Sequence, residues 1–538
     1  MQSNRGRNRI LVLATAAALL LGACSGSGSS GNNGDGGSTL TVVSPGVVSS
    51  VDPERYQGFI SIDVLPNVSG TLVRFKEPAK NAEVLQSPDE LEPELAESWE
   101  SNEDNTEVTF TLREAQSPFG NSITSDDVKW TVDRMLNSEG VPIAKILMDM
   151  GGWDLENPIT VTDESTFTLN VAKPNAVSLS ILSTFFMTII DSVEAKKHAT
   201  DDDPFAYDWL NSNTASFGPY TVDQFDPGKE IRFIANENYF RGESDVKKVV
   251  VREVPDASSR LQLAESGEVS AATGLTFDQL SSAKDKGNVT LERVLFPNID
   301  TLVPNINSEP FQDPKVRKAL AYAVDREAIV ASAYEGFATP SADFFHDDFG
   351  AKPAAEPLTR DLDKARQLLT EAGYPDGFPM EIAYNTANLG GHSEQVAVLL
   401  RAQLKEVGIE VKLNNIASGA DFDEGKRSGK LSAWLATTTP MVPDPAYYLS
   451  VFYKTGGLTN QQNFSSPELD KKLVQILETS PGAERDSLVE SANNLMIDEM
   501  PAVPLVDAQK FYVFNNSVTG FLSRSQGNIE YADLQIGE

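Results

Sequence analysis

The chain has 538 residues, 40% of them apolar, with 26 Phe, 13 Tyr and 5 Trp, enough for about three domains of roughly 150 residues each. Its 78 Asp and Glu against 44 Lys and Arg give a formal charge of −34, which repels phosphate backbones and argues against nucleic-acid binding. The single cysteine, Cys24, excludes a disulfide framework and a cysteine-based metal site.

Arg5, Arg7 and Arg9 precede an apolar run over 10–21 that ends in Leu21-Gly22-Ala23-Cys24. A basic n-region, a short h-region and small residues before a cysteine are the order of a lipoprotein signal, so residues 1–23 are expected to be removed and the Cys24 thiol lipidated. An ordinary secretory signal with an incidental cysteine is the alternative. The run is too short to span a bilayer, which takes ~20 residues. Residues 24–38, rich in Gly and Ser, read as the lipidated cysteine followed by a flexible linker.

From Thr39 a strand is expected, then a Gly/Pro/Ser break and an Asp52-Pro53 turn. Alternation of Val108, Phe110 and Leu112 with Thr109, Thr111 and Arg113 predicts a strand. Ser125 is expected to cap the helix that follows, with Asp126 and Asp127 at its positive end and Val128, Val132, Met135 and Leu136 inward. The apolar stretch 177–190 is interrupted by Ser and Thr and reads as core. Phe217-Gly218-Pro219-Tyr220 predicts a tight turn into a hairpin. A strand, an Asp256-capped helix, a stop at Gly267 and a second strand then form a βαβ unit.

Asp313 before Pro314 predicts a helix start, with Val316, Leu320 and Val324 on one face. Asp325 predicts a second start and Gly336 a stop. Leu362, Ala365, Leu368, Leu369 and Ala372 share one helical face that ends at Gly373. PMEIAYN, a helix capped by Ser393 and IEVKLNNI make a second βαβ unit. Two helices and a strand over PAVPLVDAQKFYVFNN complete the chain.

Catalytic signatures are missing. There is no G-x-S-x-G or H-E-x-x-H, only three histidines occur (His198, His346, His392), and GADFDEGK at 419–426 has the wrong spacing for a phosphate loop. No residue is therefore assigned a catalytic role, and no metal or cofactor is expected.

Asn305 followed by PFQDPKVRKALAYAVDREAIV closely resembles the segment that opens the third region of the family-5 solute-binding proteins, receptors of peptide and nickel ABC importers. LAESWE before a strand ending in Leu112-Arg113, a helix starting at Asp127-Val128, Gly218-Pro219-Tyr220 and Asn236-x-x-Tyr239 are similar to that family in the same order, and the likeness extends over 39–521. The resemblance implies an α/β, two-lobed periplasmic-binding-protein-like fold of type II with an additional inserted domain and crossing hinge segments. Lobe I would comprise 39–69, 211–301 and 505–538, the inserted domain 70–210 and lobe II 302–504. It further implies a monomer that catalyses nothing, hangs from the membrane by its lipid, and closes over a small peptide or other polar solute before presenting it to ABC permease subunits.

Three stretches carry the ligand expectations. Gln57 and Phe59 stand at positions that in peptide-binding relatives contact an extended ligand, where an edge main chain can pair with it as an added strand; an ordinary surface turn is the alternative. Trp434 and Asp444-Pro445 match a family loop whose acid often binds the ligand's free amino group. That position falls here on Thr437 or Met441, neither acidic. A saccharide, glycoside or metal chelate thus remains open as ligand. Asp444 is a substitute acid or, more simply, a helix cap, and Trp434 a pocket wall or core. Asn388 and His392 lie between a strand end and a helix start, the usual ligand rim of an α/β sheet.

Overall fold

The computed structural model describes residues 38–538 apart from 56–58, 79–89, 139–141, 342, 347, 348, 350, 352, 353, 356, 357, 387–391, 458, 525 and 538. Two long antiparallel strands, Val289–Pro304 and Val503–Asn515, form its spine. On one flank they are joined by Ala433–Thr438, Pro379–Tyr384 and Glu410–Asn415. On the other stand Ala271–Ala272, Ser38–Ser44, Val246–Glu253, Glu230–Ala235 and Tyr220–Asp226. Ala338–Pro340 pairs with Val503–Asn515 as well, which makes a mixed sheet of 11 strands. Because both long strands run through the two halves, they are the crossing segments of a two-lobed fold.

Their sequences suit that place. VLFPNIDTLVP and VPLVDA are near-continuous apolar runs, the pattern of strands buried on both faces. Pro297, which has no N–H to give a ladder, sits where the register slips between Val294 opposite Lys510 and Asn298 opposite Ala508. A bulge there lets the strand bend where the two halves meet.

Both expected βαβ units are present. Pro379–Tyr384 and Glu410–Asn415 are adjacent and parallel. Val246–Glu253 and Ala271–Ala272 are both parallel to Ser38–Ser44, which lies between them. A separate antiparallel sheet of Ala96–Ser101, Glu107–Leu112, Thr166–Asn170 and Ile159–Val161 carries the stacked pair Phe110 and Phe167 (5.3 Å between centroids). Its core is continuous with that of the Ser38–Ser44 half, while the Ala433–Thr438 half has its own.

The local signals resolve as follows. Asp256, Asp313 and Asp325 cap their helices through their side chains, and Gly267 ends its helix with φ of 76°. The stretch 177–190 is nearly all buried. Two caps differ from expectation. Thr124, not Ser125, is the N-cap, because the Asp127 carboxylate accepts from the Thr124 backbone N–H at 2.8 Å and closes a capping box one residue earlier. The helix His392–Lys405 contains Ser393 in its first turn, buried, so Ser393 is not its cap.

Candidate functional site

The strand Ala433–Thr438 lies antiparallel to Val289–Pro304, with Thr437 directly opposite Asp300 and Trp434 opposite Val303. Beyond it the chain turns into the helix Pro445–Phe452. Asp444 sets where that helix starts. Its Oδ1 accepts from the N–H groups of Ala446 and Tyr447, both at 2.9 Å, and Oδ2 accepts from Arg485 at 2.6 Å. The Arg485 Nε in turn donates to the Ile476 carbonyl at 3.1 Å, so one acid binds together three helical segments.

Facing this helix is Ile143–Met150, which is apolar on two sides. Ala144, Leu147 and Met148 are buried, and Ile143, Ile146 and Met150 turn to a cavity of about 970 Å³. Trp153 and Phe186 continue that wall, with Met441, Tyr447, Val451 and Leu477 opposite. One edge is pinned where the Ala176 N–H donates to the Leu477 carbonyl at 2.8 Å. The size lies within the usual range for small-molecule sites, and the lining combines apolar side chains with polar and charged ones. Ser450 contributes a buried hydroxyl that has no hydrogen-bond partner among the described residues. Lys173, Lys454, Asp149 and Glu478 bring charge of both signs to its lining.

Thr437 belongs to the wall of this cavity and of a second, far smaller one of about 10 Å³, lined also by Asp300, Tyr334, His392 and Ser393. Here Asp300 is 8% exposed. The Tyr334 hydroxyl donates to its Oδ2 at 2.5 Å, the Thr437 hydroxyl donates to Oδ1, and the His392 Nε2 lies 3.4 Å from Oδ2. Burial, reinforced by the adjacent Asp300 carboxylate, holds the Tyr334 phenol well above its ordinary range, so it stays a neutral donor. The His392 ring packs against Phe277 and Tyr334 at 5.1 and 5.0 Å.

The residues singled out in the sequence are thus sorted. Thr437 and Met441 line the large cavity, and Thr437 and His392 converge on Asp300. Trp434 is 2% exposed within the core of its own half, which corrects its candidacy as a pocket wall. Asp444 is corrected as a ligand group: both its oxygens are engaged and it is fully buried. Phe59 opens the helix Phe59–Val64. Gln57, Asn388 and Cys24 lie outside the described residues.

Asp300, Tyr334, Ser450 and the wall from Ile143 to Phe186 were not anticipated. For Asp300 a signal existed: it is the one charged residue in the second part of its strand, 294–304, and a charge must find partners if buried. Among the described residues no group of three or more His, Cys, Asp or Glu is placed to hold a metal, and no helix is long and apolar enough to cross a membrane.

Comparison with known proteins agrees with this architecture. Heme-binding protein A of Haemophilus influenzae is 26% identical over 466 residues, 81% of this chain and 83% of that protein. The probable D,D-dipeptide-binding periplasmic protein DdpA of Escherichia coli is 25% identical over 80% of this chain and 82% of its own length. Among solved structures, the ABC transporter-associated periplasmic binding protein DppA of Helicobacter pylori, in complex with the peptide STSA, superposes with a TM-score of 0.82. It is 22% identical and covers 93% of this chain and 98% of that one. Residues 90–460 match the model described as bacterial extracellular solute-binding proteins, family 5 middle, and the chain belongs to that family.

Proposed function

We propose that this protein is the extracytoplasmic receptor of an ABC importer, capturing a peptide-like solute in the cleft between Ile143–Phe186 and the 437–478 wall and delivering it to the permease. The observation that carries the reading is the 970 Å³ cavity, bounded on one side by Thr437 and Met441 and on the other by a sheet domain the main sheet does not contain. Closure is a bend of the two long strands at the Val294–Asn298 bulge, and no bond is made or broken. Relatives named for heme and for a D,D-dipeptide, and a neighbour solved with a peptide, fit a receptor role.

In this reading lobe I comprises 39–69, 211–301 and 505–538, the inserted domain 70–210 and lobe II 302–504. Lipid on Cys24 holds a monomer at the outer face of the membrane. A second reading, a non-peptide solute, is favoured by the neutral side chains at Thr437 and Met441 and by the apolar side chains of the lining.

Native mass spectrometry of residues 38–538 after gentle purification tests the two. A family of co-purified masses assignable to short peptides is the expected result, and one non-peptide mass replaces the first reading by the second. For an empty protein, thermal shift against a pool of di- to pentapeptides decides, since a ligand of the native state raises its stability.

A further inference from the structure

Resting on the receptor reading, we propose that Asp300 is the anchor for a primary ammonium group on the captured solute. Three features of the structure lead there.

Asp300 is a nearly buried carboxylate whose donors are two hydroxyls, with the His392 Nε2 3.4 Å from Oδ2; among the described residues it has no Lys or Arg ion-pair partner. A carboxylate removed from water without a cation is costly, and it draws in a cation that arrives with its own hydrogen-bond donors.

The cavity beside it, about 10 Å³, is the size of one water. That admits an –NH3+ head and has no room for a planar guanidinium or a quaternary ammonium. Three donors on such a head meet three acceptors on the wall: the remaining lone pairs of Asp300 and the hydroxyl oxygens of Tyr334 and Thr437.

Finally, Thr437 separates this niche from the large cavity and lines both. In this proposal the solute's apolar body lies between Ile143–Met150 and Pro445–Phe452, and its amine end passes the Thr437 side chain to Asp300. The selected class is an apolar solute carrying a primary amine, of which a peptide with a free N-terminus is the receptor reading's instance.

The test uses two probe pairs on the purified protein. The first is 2-phenylethylammonium against 2-phenylethanol at equal concentration, read by melting temperature. The second is the dipeptide Met-Leu against N-acetyl-Met-Leu, read by calorimetric titration. The ammonium compound is expected to stabilise more than the alcohol, and Met-Leu to bind roughly ten- to a hundredfold tighter than its acetylated form. Asp300→Asn erases both preferences.

Because Asp300 and Thr437 are directly paired, the double variant Asp300→Thr with Thr437→Asp moves the carboxylate one strand over. It is expected to restore the amine preference, which a purely structural role for Asp300 does not predict. Equal responses to ammonium and alcohol in the unaltered protein, or a preference undiminished in Asp300→Asn, overturn the anchor. If Asp300→Asn does not fold, the unaltered protein and the double variant decide. Ammonium preference without binding of either dipeptide keeps the anchor and overturns the peptide reading. Dipeptide binding indifferent to acetylation does the reverse.

Discussion

Asp300 and Asp444 are two buried carboxylates near the same strand, and they are satisfied in opposite ways. Asp444 has a cation, Arg485, and the free N–H groups of a helix start. Asp300 has hydroxyls, a histidine edge and a water-sized space. A carboxylate closed by its own protein can only hold structure together, whereas one left short of a cation beside a cavity is available to a solute. The position most like a ligand acid in the sequence proves structural, and the acid that faces the niche stands one strand away.

The largest effect expected from breaking this contrast is at Asp444. Asp444→Ala removes the helix cap and leaves Arg485 without its carboxylate, so unfolding by urea should show a loss of about 3–5 kcal/mol. Solute affinity of the folded fraction should not change. A variant of unaltered stability that no longer binds would exchange the roles of the two acids.

Glu54 offers a third solution to the same problem, a proton. One of its oxygens has no partner among the described residues, and burial, opposed by Arg134 and aided by Asp52, pushes its pKa up to about 7. Below the ordinary value of 4.5 it is protonated whether folded or unfolded; between 4.5 and 7 the unfolded chain ionises while the folded one holds its proton. Stability from this group therefore falls as pH rises through that window, by on the order of 3 kcal/mol at most, and Glu54→Gln should flatten the slope.

His346 acts the other way. Burial, with Arg293 adding to it, lowers its pKa from 6.5 to about 4, so its contribution is lost as pH falls through that range. The measurement is thus the difference between the unaltered protein and Glu54→Gln from pH 4 to 8, in which the histidine cancels. A difference independent of pH would mean that Glu54 does not hold a proton in the folded chain over that range.

What the sequence made legible follows from how local each cause is. The caps at Asp256, Asp313 and Asp325 bond N–H groups two or three residues ahead, and such signals stand in the text of the chain. The order of family-like segments carried the two-lobed α/β architecture. Asp444 was undecided between cap and ligand group because its deciding partner, Arg485, is 41 residues away. His392 and Thr437 were singled out separately, but only the strand pairing that sets Asp300 opposite Thr437, 137 residues apart in the chain, brings them together. The wall from Ile143 to Phe186 was invisible as a wall, since its apolar residues serve a core and a cavity alike.

A smaller effect is expected at Asp300 itself. In Asp300→Asn the amide oxygen still accepts a hydroxyl, so the solute-free protein should change by only about 1 kcal/mol. A loss as large as that of Asp444→Ala would make the niche a structural knot and remove the contrast between the two acids. Calorimetry of both variants in one buffer makes the comparison directly.

The smallest effect, and the one that differs in sign, is expected at Ser450. Its hydroxyl is buried on the cavity wall without a partner among the described residues, a state that costs the solute-free protein free energy. Ser450→Ala removes the polar atom without opening a void, so the melting temperature should stay level or rise, within about 1 kcal/mol. If a solute hydrogen-bonds that hydroxyl, affinity should drop about fivefold, a net hydrogen bond of roughly 1 kcal/mol. Stability gained together with affinity lost would mark a group kept for the solute, as at Asp300; loss of both would place Ser450 with Asp444 among the residues that only hold the wall in place.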